Sequence, residues 1–87
     1  MAKTATPFGA AMLVERIALP QRVGERRFNS IVELLETDRG ERLIRVAYTT
    51  DGVVRRGPVT LRARDLARLR DALEKAPVLA ALLEGAA

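Results

Sequence analysis

The chain has 87 residues, with 15 Lys+Arg against 11 Asp+Glu for a formal charge of +4, and contains neither cysteine nor histidine. That length holds one compact domain with a thin core, because so short a chain buries only about 60 to 65% of the surface its unfolded form exposes. The missing residue types exclude disulfides, thiolate nucleophiles, Cys/His zinc sites and imidazole acid/base chemistry, so a non-catalytic protein with no cofactor or metal is expected.

Met1 to Pro7 carries only Lys3 as a basic residue, and the apolar run Phe8 to Val14 is short and followed directly by Glu15-Arg16, which is not a signal-peptide pattern. No stretch approaches the roughly 18 apolar residues a membrane span requires. A soluble, cytoplasmic protein without a membrane partner is the expectation.

Residues 1–9 hold Thr4, Thr6, Pro7 and Gly9 without periodicity and read as a flexible arm, leaving 10–87 as a single domain. Ala10 to Leu19 fits neither period cleanly; Leu13, Glu15, Ile17 and Leu19 alternating with Val14, Arg16 and Ala18 suggest a half-buried strand ended by Pro20. Gln21 to Arg27, with Gly24 among charged residues, reads as a turn. Phe28 to Thr37 carries two signals. Ser30 with Glu33 three residues later is a capping-box pattern, but the run is only about two helical turns long, is rich in apolar side chains such as Ile31 and Val32, and leads through Asp38-Arg39-Gly40-Glu41 into an evident strand. A strand is favoured over a short helix.

Arg42 to Thr50 is the clearest strand: Ile44, Val46 and Tyr48 alternate with Leu43, Arg45, Ala47 and Thr49. The parity places Ile44, Val46 and Tyr48 toward the core and Arg45 on the open face. Asp51-Gly52 supplies a tight hairpin turn, Val53 to Arg56 returns, Gly57-Pro58 interrupts, and Val59-Thr60-Leu61 resumes. From Ala63 the period becomes helical, with Leu66, Leu69 and Leu73 on one stripe. Pro77 stops or kinks the helix, and Val78, Leu79, Leu82 and Leu83 form a further apolar turn too greasy to face water. The fold class is therefore α+β: an antiparallel sheet of about four strands, then a carboxy-terminal amphipathic helix packed on one face.

The stretches Asp38-Arg39-Gly40-Glu41, Leu43-Ile44-Arg45-Val46, Arg55-Arg56-Gly57 and Val59-Thr60-Leu61, followed by the helix from Ala63 to Lys75, give the last two thirds of the chain an order that resembles the positive cofactor four family of single-stranded-DNA-binding transcriptional coactivators. Pro58 is an offset within that order. The family's hairpin is longer than Asp51-Gly52, its base-stacking aromatics correspond here to Asp38 and Thr50, and its helix usually opens with Trp where Leu66 stands. The resemblance implies a homodimer seamed by Leu66, Leu69, Leu73, Val78, Leu79, Leu82 and Leu83, with a basic channel for unpaired DNA or RNA and a role in transcription or DNA maintenance.

Single-strand binding combines a positive groove with aromatic platforms. The candidate cations are Arg26, Arg27, Arg39, Arg42, Arg45, Arg55, Arg56 and Arg62, with Arg22 beside them, and Arg45, Arg55 and Arg56 are expected to share one patch. Aromatics are scarce: Phe8, Phe28 and Tyr48 are all there are. Phe28 suits stacking or burial equally, and Tyr48 has core parity. The alternative is a protein-interaction or regulatory module that recruits a partner chain on its open sheet face and binds no nucleic acid.

Overall fold

The computed structural model describes residues 3–55 and 57–85. Six strands come first, β1 (Lys3–Thr6), β2 (Gly9–Val23), β3 (Arg26–Thr37), β4 (Arg42–Thr50), β5 (Val53–Val54) and β6 (Val59–Arg62), and two short helices follow, α1 (Ala63–Leu73) and α2 (Pro77–Leu83). The strands form one antiparallel sheet in the order β1-β2-β3-β4-β5, and β6 pairs with β4 beyond the β5 turn. The architecture is α+β, dominated by sheet. None of the described helices is long and apolar enough to cross a membrane.

Local chemistry explains each connection. Asp51 and Gly52 both adopt positive φ, 54° and 78°, which is the backbone that a two-residue hairpin turn between right-twisted strands demands. The β3–β4 turn is closed by Thr37, whose hydroxyl accepts the Glu41 amide at 3.0 Å while its own amide donates to the Glu41 carbonyl at 2.9 Å. The expected arm is instead a hairpin: the Thr6 hydroxyl donates to the Gly9 carbonyl and accepts the Phe8 amide, so β1 folds back onto β2. Pro20 does not end its strand. It lies where β2 has passed the end of β1 and become a sheet edge, a place that tolerates a residue without an N–H.

A β-bulge between Leu13 and Glu15 inserts Val14 into β2 and bends it. The bend curls the sheet until Arg45 of β4 donates to the Thr4 hydroxyl of β1 at 3.0 Å. The concave side holds the small core, Ala11, Leu35 and Leu43 with Phe8 and Leu13 packed on them and Ile31 buried farther along. Helix α1 starts directly from β6 and leans on β6 and β4 without blanketing a face, and α2 packs chiefly on α1. Pro77 therefore kinks the helical segment by opening α2 at its first position, where the absent N–H is harmless.

Candidate nucleic-acid interface

The register divides the candidate arginines among three places. Arg26 and Arg27 sit at the β2–β3 turn, paired with Val23 and Arg22, and Arg55 follows the β4–β5 turn, where its amide donates to the Tyr48 carbonyl and its guanidinium bonds the Thr50 hydroxyl. These two turns form the distal end of the sheet. Arg39, Arg42 and Arg62 lie at the opposite, proximal end, where acidic neighbours are close. Arg42 faces Glu36 at 3.8 Å, and Arg62 grips both carboxylate oxygens of Asp65 at 2.9 and 3.1 Å while its guanidinium covers the Phe8 ring at 4.9 Å. Arg56 lies outside the described residues.

Arg45 is in the third place, the interior, and the expectation that it lies on an open face is overturned. It is 7% exposed, on the concave side, with its Nε donating to Glu33 Oε1 at 2.7 Å. Arg16 reaches the same carboxylate from β2, with Nε donating to Oε2 at 2.8 Å. The inward parity is thus Leu43, Arg45, Ala47 and Thr49, whereas Val46 and Tyr48 are exposed on the convex side. Both sets contain apolar residues, so alternation alone does not select the inner one; the fully buried Glu33 does, by requiring cationic partners across the curl. It follows that Arg45 and Arg55 share no patch, since β5 pairs only with Thr49 and Thr50 while Arg45 lies opposite Glu33 and Thr60.

Burial by itself would raise the Glu33 pKa; hydrogen bonds from Arg45 and then Arg16, reinforced by their charges, outweigh it and hold the carboxyl below its ordinary range. Asp65 is drawn down to about 2, first by the Arg62 side chain and then by the Arg62 backbone N–H, which the Asp65 carboxylate accepts at 3.0 Å at the start of α1. The Arg62 guanidinium is correspondingly stabilised in its charged form by Asp65. These groups are occupied in holding the protein together.

The distal end is different. Among the described residues, Arg22, Arg26, Arg27 and Arg55 have no carboxylate within ion-pair distance. Between them Phe28 and Tyr48 meet edge to face, with ring centroids 6.0 Å apart and planes at 75°, at a recess that Val23, Arg26 and Thr50 complete. Tyr48 is 42% exposed. Sequence parity points that residue at the core; the readable signal for its real place is its position three residues before the Asp51-Gly52 turn. Arg22 and Arg27 flank the other side of the same hairpin with Pro20 and Asn29. Arg22 donates through Nε to the Gly24 carbonyl at 3.0 Å and Arg55 to Thr50, which leaves each guanidinium further N–H donors; such donors beside an aromatic pair, with Tyr48 exposed and Phe28 half-buried, are the two components of a surface for unpaired nucleotides. The predicted seam residues Leu66 and Leu73 are half-buried, and Leu69, Val78, Leu79, Leu82 and Leu83 are exposed. No family model, curated protein or solved structure matches this chain.

Proposed function

We propose that the protein is a non-catalytic single-stranded nucleic-acid-binding protein that holds unpaired DNA or RNA at the distal end of its sheet, in transcription or DNA maintenance. One observation carries this reading: four arginines without acidic partners among the described residues share the distal end with the Phe28–Tyr48 pair, Arg26 lining its recess, Arg55 bonded to Thr50 beside it, and Arg22 and Arg27 on the other side of the β2–β3 hairpin. Elsewhere Arg16, Arg42, Arg45, Arg62, Arg64 and Arg68 each face a carboxylate, while Arg39 and Arg70 stand without one among the described residues and apart from any aromatic pair. Guanidinium groups not spent on internal ion pairs can exchange their counterions for phosphates, and that exchange drives sequence-independent binding. Aromatic stacking contributes about 1 to 3 kcal/mol per base and selects unpaired strands, because duplex bases keep their faces covered.

Tyr48 is the sole tyrosine, and tryptophan is absent, so intrinsic fluorescence reports on the site directly. Adding oligo-dT should quench the Tyr48 emission, with inner-filter absorption corrected against free tyrosine, whereas an equal mass of duplex should quench it far less. Emission unchanged by saturating oligo-dT would remove Tyr48 from the site, and absence of any binding would shift the reading to a protein-recruitment module.

A further inference from the structure

Strand β2 is 15 residues long, but β1 pairs only with its first part, Gly9 to Met12. From Glu15 to Val23 no described strand lies on its outer side, and every residue of that stretch is exposed. A long sheet edge of this kind is a template for another chain, because its outward N–H and C=O groups are left to water.

The β2–β3 turn fixes which groups these are. Val23 and Arg26 close the two-residue Gly24-Glu25 turn and therefore exchange both ladder bonds. Alternation from there commits the backbone of Gln21, Leu19 and Ile17 to β3 and turns that of Arg22, Pro20, Ala18 and Arg16 outward. Pro20 falls in the outward set, so its missing N–H takes no bond from β3. The side chains of the outward set share the concave side with Glu33 and Arg45, whereas Ile17, Leu19 and Val23 stand exposed on the convex side. There a recess lined by Glu15, Arg16, Ile17, Val32, Leu34 and Ile44 opens beside the edge.

Charge selects the partner. On the concave side Arg16 and Arg45 share the single carboxylate of Glu33, which leaves one unit of positive charge, and Arg16 is the more exposed of the two. Arg22, farther along the same side, has no carboxylate within ion-pair distance among the described residues. The one acidic residue of the edge, Glu15, lies on the convex side.

We propose that this edge binds an extended segment of a partner protein as an additional antiparallel strand, with acidic side chains beside Arg16 and Arg22 and apolar ones beside Ile17 and Leu19. A second copy of the chain is a poorer occupant. In a two-fold pairing of β2 edges each Pro20 leaves a ladder bond unmade, and the register centred on Leu19 sets Arg16 opposite Arg22. The edge meets the proposed nucleotide surface at Pro20 to Arg22, and the inference does not rest on that reading.

The probe is a fluorescein-labelled peptide of alternating valine and glutamate, about eight residues long to span the edge at about 3.4 Å per residue; its control carries lysine in place of glutamate. The glutamate peptide should bind at least about tenfold more tightly than the lysine peptide in an anisotropy titration. In the antiparallel arrangement the glutamates lie opposite the outward set, and their own N–H groups make the ladder bonds. N-methylating the glutamate amides should therefore weaken binding by more than about tenfold, while N-methylating the valine amides should change it by less than about threefold. Ala18→Pro removes a central outward N–H without breaking a bond to β3, so it should weaken the peptide by about fivefold with the β-sheet circular dichroism retained. Amide exchange followed by NMR should show the Arg16, Ala18 and Arg22 amides exchanging fast in the free protein and protected by the glutamate peptide, with Ile17, Leu19 and Gln21 slow in both. No binding of the glutamate peptide at millimolar concentration, equal binding of the lysine control, binding that survives methylated glutamate amides, or outward amides left unprotected at saturation overturns the proposal, whether or not oligo-dT binds.

Discussion

Replacing Glu33 with alanine is the sharpest perturbation of the fold. The carboxylate is fully buried and accepts from both Arg45 and Arg16, and the Arg45 side chain is only 9% exposed. Arg16, at 44% exposed, can turn to water once released; Arg45 cannot, and keeps only the Thr4 hydroxyl as a side-chain partner. Breaking a buried ion pair from one side costs about 3 to 5 kcal/mol, and the release of Arg16 argues for the lower end. A domain of this size holds about 4 to 13 kcal/mol in total, so the change removes a large share of its stability. With a urea slope of about 1 to 1.5 kcal/mol/M, the midpoint should fall by about 2 to 3 M, read by far-ultraviolet circular dichroism at fixed protein concentration. The double replacement Glu33→Leu with Arg45→Met removes both buried charges and should return to within about 1 kcal/mol of the parent, because filling the space with apolar groups avoids the desolvation of either ion. A cost below about 1 kcal/mol for Glu33→Ala, or a double variant less stable than the single, would refute the assignment of this ion group as the interior's polar anchor.

Three further outcomes follow from the same structure. Stability should be maintained above pH 4.5 and fall as pH drops, because Glu33 has a folded pKa below its ordinary 4.5 and Asp65 one lowered from 3.8 to about 2: protonating either in the folded state abolishes its ion pairs. Thermal midpoints measured from pH 6 to pH 2 should show this decline, with Glu33→Gln flattening its upper part and Asp65→Asn its lower part. Gly52→Ala should destabilise the β4–β5 turn by about 1 to 2 kcal/mol, since a Cβ meets no neighbour there and the whole effect comes from the positive φ of 78°; a urea titration measures it. Tyr48→Ala should weaken oligo-dT binding by about 5- to 150-fold, the equivalent of one lost stack, while leaving the salt dependence unchanged in a fluorescence-anisotropy titration with labelled strand.

Elements with a single periodicity were legible in the sequence. Arg42–Thr50 is the strand its alternation announces, Asp51-Gly52 is the turn its composition demands, and β3 follows the strand signal over the competing Ser30/Glu33 cap. What alternation could not supply was a choice of face. In β4 the inward set Leu43, Arg45, Ala47 and Thr49 looks more polar than the outward set Ile44, Val46 and Tyr48, and only the distant Glu33 and Arg16 make it the buried one. The Ala10–Leu19 stretch fitted neither period because the bulge at Val14 switches its parity midway. Thr4 and Thr6 gave no apolar pattern because β1 is held by hydroxyl and backbone bonds, with Lys3–Asp38 across the end, and not by burial of its own side chains. Of the candidate site, the Arg26-Arg27 pair and Arg55 were readable as local charge. The recess that joins Arg26 to Phe28 and Tyr48 depends on register across three strands, which no local pattern encodes.

The central claim rests on which arginines touch phosphate, and the salt dependence of oligo-dT binding measures that directly. Each phosphate contact on a single strand contributes about 0.7 to the slope of log K against log salt, so replacing Arg22, Arg26, Arg27 and Arg55 together by alanine should flatten the slope by about 2.8 and weaken binding throughout. Arg45→Met, with its fold verified by circular dichroism, should leave the slope unchanged, because the Arg45 guanidinium is committed to Glu33 inside the curl. A quadruple variant that binds oligo-dT with the parent affinity and slope, or an Arg45 variant that loses the slope while the quadruple variant keeps it, would contradict the account.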